Sequence, residues 1–166
     1  MARKVFFSFH HQSDPVRAAL VRGIGIVEGN SPVSDADWLR LCAKGETTIQ
    51  RWIDSQIAGR ECTIVLIGAN TAGRRGIKYE IEKSWAEKKG LLGIYIHNLT
   101  DASGAKSPKG KNPFEGLTVK STGAYLSKIV MAYDPLPTEN RAIVNYLGMN
   151  LAKWVEEAMR IRAASA

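Results

Sequence analysis

Apolar residues fall into two kinds of block along this chain, short continuous runs and longer stretches with helical spacing, and the two kinds alternate. Lys4 to Phe9 and Cys62 to Gly68 are almost wholly apolar, the pattern of parallel strands covered on both faces. Leu91 to Ile96 and Lys128 to Tyr133 are further candidate strands. Ser13-Asp14-Pro15 marks a helix start, with Asp14 placed to cap free amides and Pro15 in the first turn, and the helix is expected to reach about Val27. Ile49, Trp52, Ile53 and Ile57 predict an amphipathic helix from Glu46, stopped at Gly59. Ile77, Ile81, Ser84 and Trp85 share one face of another helix, closed by Gly90. Leu147, Leu151, Trp154, Val155 and Ala158 predict a last helix over the tail from about Thr138. Val33 to Gly45 has no clear period and reads as a short strand or structured loop. Asn98 to Thr118, rich in Gly, Lys, Ser and Pro, reads as a surface loop with a turn at Asn112-Pro113-Phe114.

Strands alternating with helices predict an α/β fold of three layers, flavodoxin-like, with a central and mostly parallel sheet of about five strands. In such sheets ligands bind at the carboxyl ends of the strands. Ser8, Phe9, His10 and His11 lie at the first of these ends, and Glu80 lies in the helix that follows the second. A carboxylate near a helix start is also favoured there by the helix dipole alone, so position by itself does not give Glu80 a chemical role.

A length of 166 residues suits one domain over 1–166. No apolar run approaches the ~18–20 residues of a membrane span, and the start lacks the pattern of a secretory signal, so a cytoplasmic protein without a membrane partner is expected. Cys42 and Cys62 read as buried thiols. Twenty-three Lys and Arg against 16 Asp and Glu give a net charge of +7 and a pI near 9.5, which favours anionic partners such as nucleotides, nucleic acid or acidic surfaces. The basic residues concentrate weakly at Arg74-Arg75-Lys78, Lys83-Lys88-Lys89 and Lys106-Lys109-Lys111, without an aromatic-interleaved stripe. There is no phosphate loop, and Gly23-Ile24-Gly25 falls at a helix end, which argues against a dinucleotide fingerprint. A phosphoacceptor site needs clustered Asp residues where this chain has Ser8, Phe9 and His10. His10, His11 and Asp14 do not suggest a metal, since adjacent histidines point to different sides and no Cys or Glu lies near them in sequence.

Val5-Phe6-Phe7-Ser8-Phe9 resembles the opening strand of TIR domains. Asp35-Ala36-Asp37-Trp38 followed by Lys44-Gly45-Glu46-Thr47-Thr48-Ile49 resembles the acidic loop, the Lys/Arg-Gly-Glu and the amphipathic helix that come next in them. Thr63 to Thr71 resembles the following strand and its loop. Within that superfamily the chain is most similar to the TIR-like proteins of bacterial Thoeris anti-phage systems, through Val5 to His10, Arg74-Arg75-Gly76-Ile77-Lys78-Tyr79-Glu80-Ile81 and Asn112-Pro113-Phe114, and Trp154-Val155-Glu156-Glu157-Ala158 resembles the ending of the wider TIR-like family. The resemblance implies a TIR-like fold and cleavage of NAD between nicotinamide and ribose, with Glu80 at the position of the family's essential glutamate. It implies that NAD is substrate rather than a resident cofactor, and that the product is a cyclic ADP-ribose-type signal for a separate effector. Assembly between protomers and a phage-derived trigger are implied as well.

Under the same resemblance Phe9, His10 and His11 border the nucleotide cleft, and Ser8 is a hydrogen-bonding group at the strand end. Asp35, Asp37 and Trp38 fall in a loop that in this family often mediates assembly and borders the active site, and with Ser8, Phe9, His10, His11 and Tyr79 they are the substrate-binding candidates. The residue four before the glutamate is commonly Trp in TIR enzymes and is Gly76 here, so a stacking contact would have to come from Phe9, Tyr79 or a neighbouring protomer. Two alternatives are a non-enzymatic TIR-type scaffold, which Gly76 favours, and a basic nucleic-acid-binding domain.

Overall fold

A computed structural model describes residues 2–31, 33 and 35–165, apart from the side chain of Asp35. Among them are four strands, β1 (Val5–Ser8), β2 (Cys62–Ile67), β3 (Gly90–Tyr95) and β4 (Ala132–Tyr133), and five α-helices. The helices are α1 (Pro15–Arg22), α2 (Asp35–Ala43), α3 (Glu46–Ile57), α4 (Arg75–Ala86) and α5 (Asn140–Ala164). The strands pair in the order β1-β2-β3-β4, every pair parallel.

The continuous apolar runs conceal an alternation that assigns each strand residue to a layer. Val5, Phe7 and Phe9 join Cys62, Ile64 and Leu66 in a core against α1 and α5. Phe6 turns the other way onto Ile53 and Ile57 of α3, and Val65 and Ile67 pack on Ile77, Ile81 and Trp85 of α4. Ser8, in step with Phe6, therefore lies beneath α4, as Thr63 does, whose hydroxyl meets that of Ser84 at 2.7 Å. This alternation fixes the position of the site.

The sheet has four strands rather than about five. The chain does return beside β1 after α1, but only as a single bridge between Lys4 and Glu28, closed by Val5 N–H to Glu28 O and Glu28 N–H to Arg3 O, both 2.8 Å. Asn30 then lends its side chain in place of a further rung, its Oδ1 accepting from Phe7 N–H at 2.9 Å. A Cβ at Gly29 would fall 2.6 Å from the Phe7 ring, so the backbone approaches the strand where only glycine fits. With its neighbours on opposite sides reached by successive crossovers, β1 stands at the topological switch point of the sheet.

Other boundaries also differ from expectation. The first helix ends at Arg22 rather than near Val27, and Gly25 adopts a left-handed φ of 77°. Asp14 makes no cap; its carboxylate accepts from Arg17 Nη1 at 3.0 Å instead. The stretch 33–45, expected as a strand or loop, holds α2, whose nine residues are too few to display a period against the sheet. Gly90 opens β3 rather than closing α4, and Lys88 takes the left-handed turn at φ 61°. The last strand is only two residues, preceded by a 3-10 turn at Leu126–Lys128. The long connection 98–118 has no helix or strand, as its composition suggested, and Arg17 holds it with bonds to Leu99 O at 2.8 Å and Ala105 O at 2.9 Å.

Candidate functional site

At the carboxyl ends of β1 and β2, between the start of α4 and the inner side of α2, lies an open cleft of about 510 Å3. It is lined by the loop after β1 (Phe9, His10, His11, Gln12), by Trp38 and Cys42 of α2, and by Gly73 to Ile77 with Glu80 on the α4 side.

Glu80 is the only carboxylate among the described lining residues, and it is only 6% exposed. It sits in the second turn of α4, on the inward face shared with Ile77, Ile81 and Ser84. Ser8 Oγ donates to its Oε2, a contact that exists because strand alternation sends Ser8 toward α4. Burial pushes the Glu80 carboxyl up from 4.5 to about 8, and the Ser8 hydroxyl opposes that rise only in part. Burial therefore keeps Glu80 mostly protonated at neutral pH.

Three rings form the opposite wall. The His11 imidazole lies 4.4 Å from the Phe9 ring at a tilt of 32°, and 4.1 Å from Trp38, nearly parallel at 12°. Trp38 is backed edge-on by Trp52 at 6.0 Å. His10 completes the loop, its Nδ1 accepting from Ser13 N–H at 3.2 Å. Partial burial and the nearby Arg74 cation lower the His10 pKa, Asp14 opposing them, so its ring is neutral with Nε2–H as the remaining donor.

The cleft mouth carries positive charge. Arg74 stands at the N-cap position of α4 without capping it, and its Nε donates to Asn70 O at 3.2 Å. Arg75 reaches the Glu46 carboxylate at 3.2 Å across exposed surface. Neither arginine is a site candidate from sequence, where the doublet reads only as a basic concentration within the 74–81 motif. Gln12 and Cys42 also line the cleft without any prior signal. Cys42 is exposed on α2, against the expectation of two buried thiols, and Cys62 is the buried thiol.

The structure thus brings Ser8, Phe9, His10, His11, Trp38 and Glu80 together. It sets two candidates apart. Tyr79 faces α3, where its hydroxyl donates to Asp54 Oδ1 at 2.6 Å, a bond that drives the phenol pKa up to about 12. Adjacent helix positions point about 100° apart, so Glu80 and Tyr79 cannot face the same way. Asp37 pairs with Arg40 at 2.9 Å and lines a neighbouring recess with Lys44, Trp52 and Gln56 rather than the cleft. Asp35 opens α2, and its side chain lies outside the described residues. Among the described residues no three His, Cys, Asp or Glu side chains converge as a metal site, and no helix is long and apolar enough to cross a membrane.

Residues 6–101 match the family described as "Thoeris protein ThsB, TIR-like domain". Over 122 residues the chain is 35% identical to a protein of Bacillus cereus (strain MSX-D12) named "Putative cyclic ADP-D-ribose synthase ThsB1". That match covers 70% of this chain and 64% of the relative, so less than two thirds of the relative's length has a counterpart here.

Proposed function

Because the chain belongs to the TIR-like domain family of Thoeris protein ThsB, we propose that it consumes NAD, releases nicotinamide and converts the remainder into a cyclic ADP-ribose-type nucleotide. The observation that carries this reading is Glu80, a buried carboxylate partnered by Ser8 at the floor of a cleft walled by rings on one side and arginines on the other. The name of the Bacillus cereus relative supports the same class of product.

The reaction asks little of the protein in proton transfer. As the bond between ribose C1′ and the pyridinium nitrogen breaks, its electron pair goes to nicotinamide, which leaves neutral and needs no general acid. Positive charge stays on C1′ and the ring oxygen. A carboxylate that accepts hydrogen bonds from the ribose hydroxyls holds the sugar and stabilises that charge in a site of low dielectric. The substrate's own pyridinium charge favours the ionised form of Glu80, so binding at neutral pH releases a proton from the protein. Ser8 then donates to an anion, a stronger bond than to the neutral acid. A nucleophile within the ADP-ribosyl group attacks C1′ and loses a proton to give the ring, whereas water gives open ADP-ribose.

On this reading the product is read by a separate effector, and protomer assembly and a phage-derived trigger govern the rate. The test is nicotinamide release from NAD, followed by chromatography, with the nucleotide product weighed by mass spectrometry. Release by the wild-type protein and its loss in Glu80→Gln, with folding retained, supports the enzyme. Equal behaviour of the two proteins, in the presence of infected-cell extract as well, leaves the scaffold reading. A cyclic product is lighter than ADP-ribose by one water.

A further inference from the structure

The three-ring wall of the cleft is assembled from parts of different secondary structure. Phe9 is only 8% exposed and belongs to the core beneath α1 and α5. Trp38 is mounted on a helix and braced by Trp52. His11, between them, stands on the irregular turn that joins β1 to α1. The imidazole is itself a flat nitrogen heterocycle, contacting an aromatic ring on each face at 4.4 and 4.1 Å. Two rings and the imidazole stacked against them make a slot of aromatic width. Gly76, in the first turn of α4, lines the same cleft without a side chain, and a Cβ built on it meets nothing within 4 Å.

We propose that the space between Phe9 and Trp38 is the subsite for a flat nitrogen heterocycle of the substrate, with Trp38 as its outer wall and the His11 side chain as the group it displaces. The inference rests on the reading of the cleft as a dinucleotide site and adds the residue that recognises the ring. A ligand ring entering the slot keeps both aromatic contacts that the imidazole now makes, and a ring larger than imidazole overlaps more of the indole face. His11 acts against binding in this arrangement, since its stack must be broken first. Trp38 is thereby a specificity-determining residue. The ring is either the pyridine or the adenine of the dinucleotide, which share the chemistry that the slot accepts.

The experiment measures calorimetric binding of AMP and, separately, of nicotinamide mononucleotide to the full chain carrying His11→Ala, Trp38→Ala or Trp38→Phe. By the usual value of a base–aromatic stack, Trp38→Ala weakens the ring-bearing ligand by about tenfold. Trp38→Phe, which keeps a ring on α2, holds within about threefold of the wild type. His11→Ala tightens binding, because the slot no longer has to be emptied. The mononucleotide that responds identifies the ring. A merely structural pile predicts the reverse for His11→Ala, so equal weakening by His11→Ala and Trp38→Ala, or indifference of both ligands to all three changes, overturns the proposal. These readouts do not require turnover. Nicotinamide release that persists with an indifferent slot overturns this inference alone, and slot-dependent binding without nicotinamide release overturns only the enzymatic reading.

Discussion

Glu80→Gln replaces a buried carboxyl with a neutral amide of the same shape, and the structure fixes the sign of its effect on stability. In the unfolded chain Glu80 ionises near 4.5; in the fold, burial holds its pKa at about 8. Below 4.5 the acid is neutral in both states and takes nothing from stability. Between 4.5 and 8 the unfolded chain gains charge that the fold refuses, so wild-type stability falls as pH rises, and above 8 the loss is complete. At about 1.4 kcal/mol for each pH unit crossed, the ceiling is about 5 kcal/mol. Water entry and relaxation around the open side of the cleft reduce this, and we expect at least about 2 kcal/mol in favour of the variant between pH 5 and pH 9. For a chain of this size that is a rise in Tm of about 4–8 °C. Ser8 still has an acceptor in the amide oxygen that the substitution introduces, so the hydrogen bond does not confound the comparison. The assay is urea unfolding of both proteins at pH 5, 7 and 9, taken as a difference so that all other titrating groups cancel. A gap that stays constant with pH, or a variant less stable than wild type throughout, refutes the burial argument.

The remaining predictions use the same geometry. If the proposed reaction holds, with the ionised carboxylate as its working form, kcat/KM for NAD in the wild type should climb with pH toward a plateau above about 8; Ser8→Ala, which removes a bond that lowers the Glu80 pKa, should move the climb to higher pH. Arg74→Gln should raise KM for NAD by about tenfold with little change in kcat, as expected for a charge that meets a diphosphate equally in ground and transition states, and steady-state kinetics at two salt concentrations reads this directly. Gly68→Ala would place a Cβ 2.1 Å from Asp14 Oδ2 at a position enclosed by the 98–118 connection, and should cost about 2–4 kcal/mol in a chemical denaturation curve.

What sequence made legible was set by burial. Strands β1, β2 and β3 are hidden on both faces, and hydrophobic runs of that kind admit few alternatives. Helices α3, α4 and α5 each lay one broad apolar stripe on the sheet, so their period is visible. Helix α2 lays down no such stripe: most of its described residues are exposed, which removes the periodic signal and hid both the helix and the exposure of Cys42. The missing strand has a similar cause. Its pairing is one bridge and one asparagine side chain, too little chain to carry a pattern. In the site, Glu80 and Ser8 could be named from family likeness, whereas their pairing depends on which face Ser8 takes, a parity that an unbroken apolar run does not display. Tyr79 failed as a cleft residue for a reason available beforehand, its adjacency to Glu80 on one helix.

The pairing of Ser8 with Glu80 also explains why this corner of the sheet carries an ionisable residue at all. A carboxyl placed one turn earlier on α4, in place of Gly76, would stand in water beside Arg75, ionised at little cost and screened from any charge developing on a sugar. One turn deeper it would replace Ser84, which is fully buried and bonded to Thr63 and to Glu80 O, with no route to the cleft. At position 80 it is covered almost completely yet still lines the opening. That compromise costs stability and gives the carboxylate a strong field over a short range. The same logic limits what can replace it. Asp at this position would draw the carboxyl back from Ser8 by about one methylene, and the buried acid would lose the hydroxyl that offsets part of its desolvation.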